Sequence, residues 1–221
     1  MPGPIDTARA LAALAQTELL DSIASSLRRV GVGFALATLV AVPVGMLLGL
    51  SEPARRALDP LVELIRPISA IAWIPMAIIW FGVSEQAAYF LIAYAAFFPI
   101  FLNTVAGVRG VERLYVDAAT VLGAPRRMLI GEVLLPAAMP SILAGLRVGL
   151  GIAIAVIVAA ELGIGFTLGS GLGYLLLKYS FLLYAPANLL AVMAVIGILG
   201  LAADRVLQAI NRRLAPWSVG R

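Results

Sequence analysis

Cysteine and histidine are both missing from this chain of 221 residues. Their absence excludes disulfides, thiol nucleophiles, thiolate or imidazole metal sites and the commonest general base. Compartment therefore cannot be read from cysteine usage. No phosphate loop of the GxxxxGKS or GxxxxGKT kind is present, so the chain has no nucleotide cradle of its own. Residues 1–30 contain Asp6, Glu18 and Asp21 and lack the compact apolar core of a secretory leader. Charge is scarce too, at 13% of residues, where soluble domains carry about 25%.

What fills the chain instead is apolar: 62% of residues are hydrophobic and the mean hydropathy is +1.02. A soluble core of this length cannot hide so much apolar surface, so the surrounding solvent is lipid. The net charge of +4 and pI near 9.8 fit arginine-rich cytoplasmic loops better than nucleic-acid binding.

About 20 apolar residues cross a bilayer core as a helix. Four stretches meet that length directly: Val30–Ser51, Pro67–Ser84 (interrupted by Pro75), Gln86–Val108 and Ala185–Ala203. A fifth lies between Ala138 and Ala160. It contains Arg147, which sits about two turns in, where a long side chain can reach the headgroups. Gly163–Leu177 holds five glycines in its first eleven residues and reads as an irregular or re-entrant connection. Before the first span, Leu20, Ile23, Leu27 and Val30 recur at helical spacing and predict an interfacial amphipathic helix. The expected architecture is an all-α, polytopic membrane helical bundle of about five transmembrane helices. It divides into an amphipathic segment 1–29, a transmembrane domain 30–208 and a cytoplasmic tail 209–221.

The basic residues alternate as topology demands. Arg55, Arg56 and Arg66 lie in one link, Arg109, Arg113, Arg126 and Arg127 in another, and Arg205, Arg212, Arg213 and Arg221 at the C-terminus. The intervening links hold only Lys178. The arginine-rich links and the C-terminus are thus expected in the cytoplasm of a multi-pass protein of the inner membrane. Five crossings then put the N-terminus outside, which leaves Arg28 and Arg29 on the side the rule disfavours.

The link 109–137 has a readable local code. Leu114–Leu122 predicts a short helix stopped by Gly123, and Pro125 opens a second helix that ends near Pro136, with Pro140 opening the next span. The same link carries Asp117-Ala118-Ala119, three residues, Gly123, nine residues, then Val133-x-Leu135-Pro136. This pattern resembles the EAA signature of ABC-importer permeases, with aspartate in place of the usual glutamate. The stretches "IPMAIIWFGVSE", "FFPIFLNTVAGV", "LPAAMPSILAGLRVGLG" and "SGLGYLLL" are similar to the branch importing nitrate, sulfonates, taurine and bicarbonate. Members of that branch usually begin with one more membrane helix, and their link before "SGLGY" is a few residues shorter.

The resemblance implies a permease subunit that contains no catalytic residues. Asp117, Ala118, Ala119, Gly123, Val133, Leu135 and Pro136 would form a coupling loop packed into a groove on a cytosolic ATPase. Two ATPase copies would bind the ATP and magnesium, a second permease copy would complete a homodimer, and an extracytoplasmic solute-binding protein would deliver the substrate. No cofactor or metal is expected in this chain. The branch implies a small anion such as nitrate, taurine or an alkanesulfonate, although related members carry uncharged nutrients such as a thiamine-precursor pyrimidine.

Four further residues are candidates for the translocation path. Asn103 and Thr104 are polar groups late in a span, which either line a path or bond across helices. Arg147 either attracts an anion or snorkels. Glu161 either serves an outer gate or is a solvated helix end. Gly45–Gly49 and Gly145–Gly149 match the GxxxG spacing of close helix contacts. An ion-coupled carrier would need a midplane ionisable residue, often in each of two repeats, and Arg147 alone does not supply that. An intramembrane enzyme would need a catalytic cluster, which the missing His and Cys make hard to build.

Overall fold

In the computed structural model, residues 3–214 are described, except for the side chains of 164–168 and 212–214. Among the described residues ten α-helices follow in order: α1 (Pro4–Ala15), α2 (Leu19–Leu50), α3 (Glu52–Ile65), α4 (Ile74–Phe81), α5 (Glu85–Arg109), α6 (Arg113–Val121), α7 (Arg126–Met128), α8 (Leu135–Leu168), α9 (Leu172–Leu177) and α10 (Pro186–Leu214). A 3-10 turn at Ala70–Trp73 precedes α4, and π-turns at Leu129–Leu134 and Lys178–Leu182 precede α8 and follow α9. Among the described residues, four helices are long and apolar enough to cross a membrane, or five if α3 and α4 are taken as one broken span. Leu39, Leu47, Ile79, Ile198 and Leu201 are more than half exposed. Such side chains suit contact with lipid.

The chain divides into two compact units. The first comprises residues 1–36, 69–95 and 150–204, the second 37–68, 96–149 and 205–221. In the first, Leu14, Leu19, Leu172, Leu175, Tyr179, Ala191 and Val192 form one buried cluster, and Ala77, Ala87, Leu91 and Ala160 form another. Beside the latter cluster, Trp73 contacts Trp80, Phe90 and Tyr94 at ring separations of 5.9, 6.2 and 5.5 Å. In the second unit, Val108, Ala138 and Ile142 are buried with Val42, Met46, Leu135 and Leu146 around them.

Five features of the structure depart from the sequence reading or add to it. First, no boundary falls at residue 29. The break lies at residues 16–18, and α2 runs unbroken for 32 residues. Its inner face is mixed: Ser22, Ser26 and Arg29 are buried together with Val30, and Ile23 is half-buried, while Leu20 and Leu27 are 67% and 45% exposed. Amphipathic logic assumes water outside. In lipid, apolar side chains face out for free and polar groups turn inward to find partners.

Second, the link after the first span is helical. Ser51 caps α3 by accepting from the Ala54 amide at 3.4 Å, and Pro53 sits in the first turn, where a missing N–H is harmless. Arg55 then bridges Glu52 and Asp59, each at 2.7 Å, at the one-turn spacing that suits a helix surface.

Third, the helix does not end near Pro136; winding continues from Arg126 into α8. A proline ring collides with the turn before it. Here that turn is the wide π segment, in which the Leu135 amide reaches back five residues to the Ile130 carbonyl. Fourth, α8 persists through the first glycines to Leu168, so the irregular connection shrinks to residues 169–171. Fifth, α10 reaches Leu214, beyond the expected start of the tail; the rest of that tail, with Trp217 and Arg221, lies outside the described residues.

Candidate functional site

In the second unit, the expected elbow forms between α6 and α7. Gly123 has φ +78, a left-handed conformation that glycine adopts without a Cβ penalty. Its amide donates to the Thr120 carbonyl at 3.0 Å and the Ala124 amide to the Ala119 carbonyl at 3.0 Å. Those two bonds are the paired closures of a Schellman cap, so α6 ends with its orphan carbonyls satisfied. Pro125 follows as the N-cap of α7 with ψ 153, one position earlier than its expected place in the first turn. α6 packs on the π-turn that leads into α8.

The seven motif residues divide by exposure. Asp117, Ala118 and Gly123 are exposed and Ala119 is half-buried on α6, whereas Val133, Leu135 and Pro136 are half-buried at the root of α8. Sequence reasoning missed the two side chains beside the glycine. Val121 and Leu122 are 87% and 85% exposed, the highest values for large apolar residues among the described ones. Their signal was available: two branched apolar residues adjoin a helix-stopping glycine in the most charged part of the chain.

The path candidates fare differently. Thr104 is fully buried and its hydroxyl donates to the Ile100 carbonyl of its own helix at 2.8 Å. The Asn103 amide donates likewise to Pro99 at 2.8 Å. Both residues pack on glycines. A Cβ at Gly45 would fall 2.8 Å from Thr104 Cβ, and one at Gly145 would fall 2.6 Å from Asn103 Cβ. Gly49 and Gly149 approach Val108 and Ile100 in the same way. Within this unit α5 is thus seated between α2 and α8 on GxxxG-spaced glycines, and the side chains of Asn103 and Thr104 bond to carbonyls of their own helix instead of across helices. Arg147 is exposed on α8.

Glu161 is not a solvated helix end. It lies in the first unit at 1% exposure, paired with Arg29, which is also 1% exposed. One guanidinium nitrogen of Arg29 donates to Glu161 at 2.7 Å and to the Ser170 carbonyl at 2.8 Å. The other donates to Glu85 at 2.9 Å and to the Ser170 hydroxyl at 3.2 Å, and Nε reaches Glu85 at 3.3 Å. The Ser26 hydroxyl donates to Glu161 at 2.8 Å and accepts from the Leu172 amide at 2.9 Å; the Gly173 amide donates to Glu161 at 2.8 Å. Arg28, the other misplaced cation, bridges Glu85 at 2.9 Å. Two arginines and two carboxylates balance, which explains how these cations escape the loop-charge rule. Ser22, Ser26 and Arg29 sit at one-turn spacing just before a span, and that polar stripe was the readable signal.

A smaller tether ties Glu18 to the π-turn after α9. Lys178 Nζ lies 2.6 Å from the Glu18 carboxylate, and the Tyr179 hydroxyl donates to it as well. Burial opposes ionisation of Glu18, but the bonds from Lys178 and Tyr179, with the Lys178 charge, hold its carboxyl below the usual range. The Glu18 hydrogen bond pushes the Lys178 ammonium above its usual value.

Residues 41–216 match the family model of the binding-protein-dependent transport system inner membrane component. The chain belongs to that family. The permease is 42% identical over 199 residues to a Methanocaldococcus jannaschii chain that bears the name of an ABC transporter permease protein, covering 90% of this chain and 73% of the relative. It is 40% identical to the taurine transport system permease protein of Escherichia coli (90% and 71% covered) and 36% identical to the bicarbonate transport system permease protein of Synechococcus elongatus (85% and 66% covered). A chain of the MetNI methionine ABC transporter in an inward-facing form shares the fold, with a TM-score of 0.75, 21% identity and coverage of 89% of the permease and 95% of that chain. The permease is a multi-pass inner-membrane transport subunit, not an enzyme.

Proposed function

We propose that the permease is the membrane-spanning subunit of an ATP-driven importer and that its α6–α7 elbow is the contact with a cytosolic ATPase. The observation that carries this reading is the elbow itself. A Schellman-capped helix presents Asp117, Ala118 and Gly123 to solvent, with Val121 and Leu122 protruding beside them. Exposed apolar side chains on a rigid, charged element are the usual anchors of a protein interface. Two permease copies would carry two ATPases, which bind ATP and magnesium, and a solute-binding protein would supply the substrate from outside. The C-terminus and the elbow then face the cytoplasm, in line with the arginine distribution. The relatives' named substrates, taurine and bicarbonate, support a small solute bearing an oxyanion group, which nitrate and alkanesulfonates also carry.

The test is co-expression with candidate cytosolic ABC ATPases, followed by affinity capture. The parent should retain the ATPase, whereas Ala118→Arg and Gly123→Pro should lose it. Retention in both variants at the parent level refutes the docking assignment. Because the chain has no cysteine, Thr120→Cys should react with an impermeant maleimide only from the cytoplasmic side. Uptake of labelled taurine against labelled nitrate into proteoliposomes containing the complex ranks the substrates.

A further inference from the structure

The Arg29–Glu161 centre takes no part in the elbow, and its geometry suits neither solute binding nor simple anchoring to water. Every N–H of the Arg29 guanidinium has an acceptor, and both Glu161 oxygens have donors. Nothing is left over to recognise a passing anion. The backbone is shaped around the carboxylate. Gly171, at φ +128, lies where a Cβ would fall on the Glu161 carboxyl, and a Cβ at Gly173 would fall 2.5 Å from the Val158 carbonyl. The glycines of this corner are therefore there to let a buried carboxylate cap the start of α9. Together α9 and its π-turn, Leu172–Leu182, are apolar but only 11 residues long, about 16 Å at 1.5 Å per residue, half of a bilayer core.

We infer that Arg29 and Glu161 are a positioning pair for transport. They lock the 169–173 corner to α2 and α8, so that the half-length helix travels with those two helices as one body throughout the cycle. The inference rests on the permease reading, since a cycle is needed for it to matter. The physical reason is the asymmetry of buried ion pairs. Separating the partners strands a charge away from water, and this opposes opening far more than an exposed pair would. A clasp of this kind does not serve as a gate that opens each turnover. It keeps a short helix, unable to span the bilayer alone, in register with the helices that move.

The test uses the full permease assembled with its ATPase in proteoliposomes and supplied with its solute-binding protein, with Ser170→Cys as the single thiol and N-ethylmaleimide as the probe. With Arg29 intact, labelling should be slow and equal with and without trapped nucleotide. Arg29→Gln should accelerate it about tenfold or more, and adding Glu161→Gln should slow it again, because the double variant strands no charge. If Arg29→Gln does not fold, Ser26→Ala, which keeps both charges and removes one bond to the corner, should accelerate labelling about threefold. Unchanged labelling in the variant that folds overturns the clasp. So does a rate that differs severalfold between nucleotide states when Arg29 is present. The second readout is labelled taurine taken up per ATP hydrolysed. A positioning role predicts a fall in that ratio with hydrolysis retained; a merely structural role lowers both together and refutes the assignment. If the parent complex takes up neither taurine nor nitrate with ATP, the proposed small-anion importer reading fails instead, while the labelling series still judges the clasp.

Discussion

Substituting alanine for Gly145 tests whether glycine seams hold the second unit together. The added Cβ would stand 2.6 Å from Asn103 Cβ, 3.0 Å from the Pro99 carbonyl and 3.2 Å from Ile100 Cα. Two of those three atoms are backbone of α5 and cannot rotate away, so the helix must retreat. Overpacking of this kind costs about 1–3 kcal/mol. Alanine also gains about 1 kcal/mol over glycine as a helix former, which would blur the result if the variant were measured alone. Gly197→Ala removes that ambiguity. Gly197 sits within α10 with nothing within 4 Å of the added atom, so it collects the same helix gain without the clash. The difference between the two variants isolates the steric effect, about 1–3 kcal/mol in favour of Gly197→Ala. Denaturant titration of the detergent-purified permease, followed by tryptophan fluorescence, measures it. Equal midpoints would refute the seam and return both GxxxG pairs to chance. Gly45→Ala, which meets Thr104 Cβ at 2.8 Å and the Phe101 carbonyl at 3.0 Å, should repeat the loss.

At the elbow, Gly123→Asn should weaken the α6 cap less than Gly123→Ala, which loses about 1–2 kcal/mol to the left-handed conformation. Gly123→Pro should weaken it most, because it removes the amide bonded to Thr120; amide exchange across α6 gives the order. For the Glu18–Lys178 tether, Glu18 has a depressed pKa, so its contribution is present above the unfolded value near 4.5 and fades as pH falls through the lower folded value. Lys178 has a raised pKa, so its contribution is complete below 10.5 and fades as pH rises through the higher folded value. Exchange of the α1 amides should therefore be level at neutral pH and accelerate at both extremes, after correction for intrinsic rates. Glu18→Gln should remove the acid limb. Thr104→Val should leave the KM for solute within about twofold, since the hydroxyl serves its own helix; a tenfold rise would put Thr104 back on the path.

Four spans and the elbow were legible because their signals are local, whereas the expected span Pro67–Ser84 is a 3-10 turn and the eight-residue α4, a spanning length only when taken with α3 across a sharp bend. Hydrophobic length marks a crossing, and Gly123 followed by Pro125 marks a stop and a start wherever the chain lies. The clasp was illegible because the usual reading of a helix face presumes water outside. Leu20, Ile23, Leu27 and Val30 read as the apolar face of an interfacial helix and Arg28 and Arg29 as cations on the disfavoured side, whereas the helix turns Ser22, Ser26 and Arg29 inward and leaves Leu20 and Leu27 exposed. Glu161 was misread for a related reason. Its partner is 132 positions away, and no spacing rule joins residues on different helices. Pro136 misled differently: proline was taken as a terminator, but the π-turn before it widens the helix enough to pass the ring.

That π-turn also decides how the proposed coupling would act. Helices in lipid gain little from hydrophobic association, so close glycine packing and paired polar groups must hold them. The permease uses glycine seams in one unit and a balanced ion cluster in the other. α8 contributes to both, carrying Gly145 and Gly149 and then Glu161. Winding is uninterrupted from Arg126 onward, so under the proposed coupling a displacement of the elbow would enter α8 through helix and not through a loop. The compliant place on that helix is Leu129–Leu134, where i→i+5 bonding is less stable than ordinary α-helical winding. A substitution that restores regular winding there should stiffen the connection without touching the ATPase contact. It would thereby separate the grip of the elbow from the transmission of its motion.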